Sequence, residues 1–142
     1  MSQGDFKYTS SVIRVPVVAI FLIWFIYLVE LKLNINFNKY GIYPNTFRGL
    51  RGILFSPFIH GDIKHLFNNS IPLGVLLGCL YYFYQKIATK ILIWGIILSG
   101  ILTWFIGRPS YHIGASGVVY LLVSFIFFSG VLRKHFRLIS VS

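Results

Sequence analysis

HLFNNSIPLGVLLGCLYYFYQ, residues His65 to Gln85, carries no charged side chain from end to end. A helix needs about 20 mostly apolar residues to cross the hydrocarbon core of a bilayer, and this stretch supplies them. It nevertheless opens on a histidine and two asparagines, side chains that are costly in lipid unless they have partners or a task. A membrane span with a polar cluster at one end is therefore the first element of the fold.

Three more uncharged runs lie outward of it: Val15 to Val29, Ile91 to Gly107 and Pro109 to Leu132. The first reaches spanning length only if Arg14 snorkels its charged end to the interface. The pattern predicts an all-α integral membrane protein with helices near 12–32, 65–85, 89–107 and 114–132. One long connection, 33–64, has turn residues at Asn38, Gly41, Pro44, Gly49 and Gly52. A connection of that length in a compact domain usually carries structure or function of its own. The first helix is not read as a signal peptide, because it lacks an A-x-A-like cleavage site.

Composition agrees with a bilayer setting. Hydrophobic residues make up 56% and charged residues 11%, against roughly 25% charged in a soluble domain. That excludes a disordered chain and leaves too few charges to cover a soluble globule. Thirteen Lys and Arg against three acids give a net charge of +10. These bases flank every helix, where they meet anionic lipid; nucleic-acid binding would gather them on one face. The single cysteine, Cys79, rules out an internal disulfide framework and any multi-cysteine metal site. Among the short connections, Lys86 and Lys90 outweigh Arg108, and Arg133, Lys134 and Arg137 follow the fourth helix. The basic excess places the N-terminus in the cytoplasm.

Small residues recur every four positions as Ser70, Gly74 and Gly78 on the second helix, and as Gly95, Ser99, Thr103 and Gly107 on the third. Such stripes let helices approach closely in lipid, and they are read as packing. Polar residues that packing does not require stand elsewhere: His60, His65 and Asn69, then His112 and Gly114-Ala-Ser116-Gly117. His65 and Asn69 share one helical face. In the proposed topology both clusters fall at the same depth, near the outer face. Each residue also has a duller reading, with Ser116 as a helix cap, Asn69 as a helix-to-helix hydrogen bond and the histidines as interfacial polar groups. His135 lies among basic residues at the opposite side and is read as lipid-facing.

A metal site is poorly supported. His60 and His65 are about 140° apart on a helix, no His-Glu-x-x-His occurs, and the nearest carboxylate is Asp62. Acyl transfer fits better. A serine nucleophile needs a general base and donors for a developing oxyanion, and Asn and His side chains can supply such donors. A transporter or channel component is a third possibility, but it requires polar residues along the whole path rather than at one end.

Phe58-x-His60-x-x-x-x-His65-Leu-x-x-Asn69, followed by Gly114-Ala-Ser116-Gly117, resembles the rhomboid intramembrane serine proteases. The resemblance covers nearly the whole chain. It implies that Ser116 is the nucleophile and that His65, Asn69 and the Ser116 backbone N–H hold the oxyanion. It also implies that His60 supports the site, that Tyr120 packs on the catalytic histidine ring, and that Gly114 belongs to the serine motif. Transmembrane proteins in the bilayer would be the substrates, with no metal or cofactor. The family's commonest setting is a bacterial inner membrane. Rhomboids have at least six transmembrane helices, with a base histidine on the sixth, so four of the usual six helices are present here. The chain is accordingly expected to be incomplete at its C-terminus and inactive as written. A shortened, non-catalytic relative that binds membrane partners is the alternative. Leu50-Arg51 stands where many relatives have Trp-Arg, and the second helix lacks the acid often found at its inner end. The sequence gives no handle on the oligomeric state.

Overall fold

The computed structural model describes residues 8–141, with side chains through residue 134, so the reading of His135 lies outside the described side chains. Four long helices fall over the four uncharged runs: α1 (Ser11–Leu33), α3 (Ile63–Phe83), α4 (Ala88–Ile106) and α5 (Ser116–Val141). Each is long and apolar enough to cross a membrane. The connection between α1 and α3 contains three short 3-10 turns and one helical turn, α2 (Gly52–Phe55).

The helix ends differ from the uncharged runs for local reasons. α3 starts two residues before His65 because the Asp62 carboxylate accepts the His65 backbone N–H at 2.8 Å, a side-chain cap on an otherwise free donor. α5 starts at Ser116 rather than Gly114, whose φ of +101° is not helical. It continues past Leu132 through Arg133 and Lys134, because charge ends a membrane span without ending a helix. α1 closes on Asn34 in the left-handed conformation, whose N–H returns to the Glu30 carbonyl. The Glu30 carboxylate then turns back to accept the Phe37 N–H at 2.7 Å.

α3 is the most buried of the four helices. Its Leu66, Leu73, Leu77 and Leu80 form the core with Ile23, Val118 and Leu122. The small-residue stripes do pack helices. Ser70 accepts the Trp24 indole N–H at 2.9 Å, Gly74 faces Ile20 of α1, and Gly95 faces Leu121 of α5. At the α3–α4 turn, hydroxyl pairs tie the helices together: Tyr81 with Thr89, and Tyr84 with Ser129 of α5. The outward faces carry Phe21, Phe25, Trp94, Leu102 and Phe127, all exposed. That much uncovered apolar surface suits lipid and not water.

The long connection is folded onto α4. The Trp104 indole donates to the Thr46 carbonyl at 2.9 Å, and the Asn45 N–H donates to the Trp104 carbonyl at 3.0 Å. Arg51 provides the anchoring beside exposed Leu50: it donates to the Lys39 carbonyl at 3.0 Å and lies over the Tyr40 ring. Two backbone crossings leave no room for a side chain. A Cβ on Gly49 would collide with the Tyr43 backbone, and one on Gly52 with the Gly41–Ile42 peptide. We expect Gly52→Ala to destabilise the protein by roughly 1–3 kcal/mol, the usual cost of overpacking. Gly130→Ala, on a helix face with nothing within 4 Å, should be neutral or stabilising by up to about 1 kcal/mol. Thermal unfolding in detergent compares the two.

Candidate active site

The two polar clusters meet. The left-handed backbone of Gly114 sets its Cα against α3, where an added Cβ would lie 2.6 Å from His65 Nε2 and 3.3 Å from Asn69 Nδ2. Only glycine combines that φ with that approach. The Gly114 N–H donates to the Ser56 carbonyl at 2.8 Å, and the next N–H, of Ala115, points at His60 Nε2 at 3.4 Å. The His60 and His65 rings stand edge to face with centroids 5.0 Å apart. His60, His65, Asn69 and Gly114 thus form one constellation immediately ahead of Ser116 at the start of α5.

The Asn69 side chain is buried, and its amide nitrogen has no hydrogen-bond partner. Buried donors normally have acceptors, and an orphan invites a functional explanation. Ser116 is half-buried and lines a cleft of about 160 Å³ with Ser56, Ser99, Thr103 and Tyr120. Tyr120 stands on the same helix face one turn on and is 73% exposed, so its ring is largely uncovered. His112, although near Ser116 in sequence, is held elsewhere. Its Nε2 bonds the Arg108 carbonyl at 3.0 Å, and its backbone exchanges two hydrogen bonds with Ile42 at 2.8 and 2.9 Å.

Sequence reasoning missed three contributors. Ser56 supplies the carbonyl that fixes Gly114 and a wall of the cleft. The Ile42–His112 pair ties the long loop to the serine loop. Ser99 and Thr103, read as packing, also line the cleft, although their hydroxyls bond back to α4 carbonyls. The Ser99–Thr103 spacing and the polar His112 left a trace in the sequence; the pairings with Ile42 and Ser56 are contacts between distant segments.

The Rhomboid domain family model matches residues 48–141 of this chain. The chain belongs to the rhomboid family. Two similar relatives are uncharacterised proteins of Mycobacterium tuberculosis and Mycobacterium bovis, each 36% identical over 121 residues, covering 75% of this chain and 48% of the relative. A protein of Mycobacterium leprae is 33% identical over 119 residues, covering 75% of this chain and 46% of its own length. The chain thus spans about half the length of the curated relatives it matches. No solved structure matches it. Family membership and four apolar helices make it a multi-pass integral membrane protein.

In this rhomboid-family chain His60 is held neutral. Burial, and after it the neighbouring His65 imidazole, push its pKa down to about 4 from the ordinary 6.5. Because Nε2 receives the Ala115 N–H, the ring proton is assigned to Nδ1, on the side of the Phe58 backbone. Between pH 6.5 and about 4 the unfolded chain would bind a proton that the folded one refuses. Stability is therefore full above pH 6.5, falls as pH drops toward 4, and changes no further from this group below that. A pH series of unfolding midpoints should show this loss, and His60→Asn should flatten it while lowering the midpoint at neutral pH. An unchanged slope in the variant would assign the pH dependence to other groups.

Proposed function

We propose that the full-length protein is an intramembrane serine endopeptidase that cleaves transmembrane proteins, with Ser116 as nucleophile. The observation that carries the reading is the buried, unpartnered Asn69 amide beside Gly114, two residues before Ser116. Such a donor, held in place before any substrate arrives, suits negative charge that develops only during reaction. The Ser116 Oγ attacks the peptide carbonyl carbon as its proton passes to a general base. The carbonyl oxygen becomes an oxyanion that accepts from the Asn69 amide, the His65 imidazole and the Ser116 backbone N–H. Collapse breaks the C–N bond, the base returns the proton to the leaving amine, and water then hydrolyses the acyl-serine. No metal or cofactor enters these steps.

His60 and His112 are already engaged, and His65 lies against Gly114. In this reading the general base is a histidine carried elsewhere in the full-length protein, as the family resemblance implies. With the N-terminus in the cytoplasm of a bacterial inner membrane, the site opens toward the outer face. A non-catalytic membrane-binding role is the competing reading.

The test uses the full-length protein in liposomes with a transmembrane reporter. Ser116→Ala should abolish cleavage and labelling by a serine-reactive fluorophosphonate. Asn69→Ala should lower kcat about 10²–10³-fold, the usual cost of one oxyanion donor, with labelling reduced rather than lost. Cleavage that survives Ser116→Ala would reject the assignment. Absence of both cleavage and labelling in the wild type would favour the binding role.

A further inference from the structure

At the end of the bundle away from Ser116, α3 turns into α4 through residues 84–87, closed by the Ile87 N–H on the Tyr84 carbonyl at 2.9 Å. Tyr84 is buried against Phe125, and its hydroxyl bonds Ser129 of α5. The Arg133 guanidinium lies over the Tyr84 ring, 4.5 Å from its centroid. This stack holds a long cationic side chain in one place and leaves its planar fork of N–H donors to bind something else.

Lys86 stands exposed in the same turn, Lys90 in the first turn of α4, and Lys134 beside Arg133. Among the described residues no carboxylate reaches this end. Glu30 and Asp62 sit at the opposite end, each bonded to a backbone N–H, and the first turn of α4 has no acid. The cations are bordered by exposed apolar side chains, Ile87, Val131 and Leu132. A ligand that satisfies both halves of this surface carries an anionic phosphate ester on hydrocarbon chains.

The geometry points to a binding site for an anionic phospholipid, its phosphodiester held by Arg133 with Lys86 and Lys90 and its acyl chains lying on Ile87 and Val131. The headgroup bridges the α3–α4 turn to α5, and the site is independent of any chemistry at Ser116.

Native mass spectrometry of the full-length protein tests it, with phosphatidylglycerol, phosphatidylcholine and inorganic phosphate added separately and in competition. Phosphatidylglycerol should be retained over phosphatidylcholine by at least about fivefold. Arg133→Gln should weaken that retention about fivefold, corresponding to roughly 1 kcal/mol per surface charge. Lys86→Gln with Lys90→Gln should do at least as much. Tyr84→Phe, which keeps the ring, should retain the lipid like wild type, and Tyr84→Leu should not. Equal retention of the two lipids, or no effect of Arg133→Gln, would overturn the site. Millimolar phosphate displacing the lipid completely would reduce it to a free-anion site and reject the lipid assignment.

Discussion

Peptide groups near hydrocarbon have no water to bond, so every irregular stretch of a membrane protein must find its hydrogen bonds within the protein. Here that constraint is met by stitching the α1–α3 connection to the loop before α5. Ile42 and His112 exchange two hydrogen bonds, and Ser56 takes the Gly114 N–H. Trp104 bonds the connection at Thr46 with its indole and at Asn45 with its carbonyl. The site depends on this seam. Ser116 follows Gly114 by two residues, so whatever fixes Gly114 against Ser56, His65 and Asn69 also fixes Ser116. Helices alone would place Asn69 and Ser116 at a similar depth. The seam sets their lateral approach.

The seam works only because backbones can touch. Gly52 crosses the Gly41–Ile42 peptide, and Gly41 itself has the His112 carbonyl 2.6 Å from where its Cβ would be. Gly100 of α4 gives the same closeness to Ile53 of α2. The connection is therefore a rigid layer lying on α4, with the structure of its own that its length suggests. A rigid layer is what an orphaned amide requires. If the wall around Asn69 could relax, the amide would find a carbonyl and lose its availability.

Much of this architecture was legible because charge in lipid is expensive. Sixteen scattered charges would leave no spanning gap, and the observed clustering leaves four. The pairing of His65 with Asn69 was legible from helical periodicity, and the meeting of the two motifs from topology and resemblance. The seam was not. Ile42 and His112 are 70 positions apart, and neither lies in a repeating pattern. Glycines at 41, 49 and 52 read as turn signals, whereas their structural weight lies in what crosses them. The start of α3 was placed two residues late because a cap is a local hydrogen bond to a polar residue outside the apolar run. Tyr120 was expected to pack on an imidazole, and the described residues leave its ring open.

The distribution of acids ties the two ends of the bundle together. Glu30 and Asp62 both sit at the Ser116 end, and both carboxylates bond a backbone N–H, of Phe37 and of His65. Each carboxylate therefore shapes the chain where the site is built: one turns α1 into the long connection, the other starts the helix that carries His65 and Asn69. The imidazoles beside them follow the same economy. His60 stays neutral because it is buried next to His65, so the Ala115 N–H meets a lone pair rather than a positive charge. With Glu30 and Asp62 committed at one end, no carboxylate among the described residues faces the cations at the other. Arg133 settles on an aromatic ring instead. The same scarcity of acids thus gives one end a precise arrangement of donors and acceptors, and leaves the other, among the described residues, an electropositive surface.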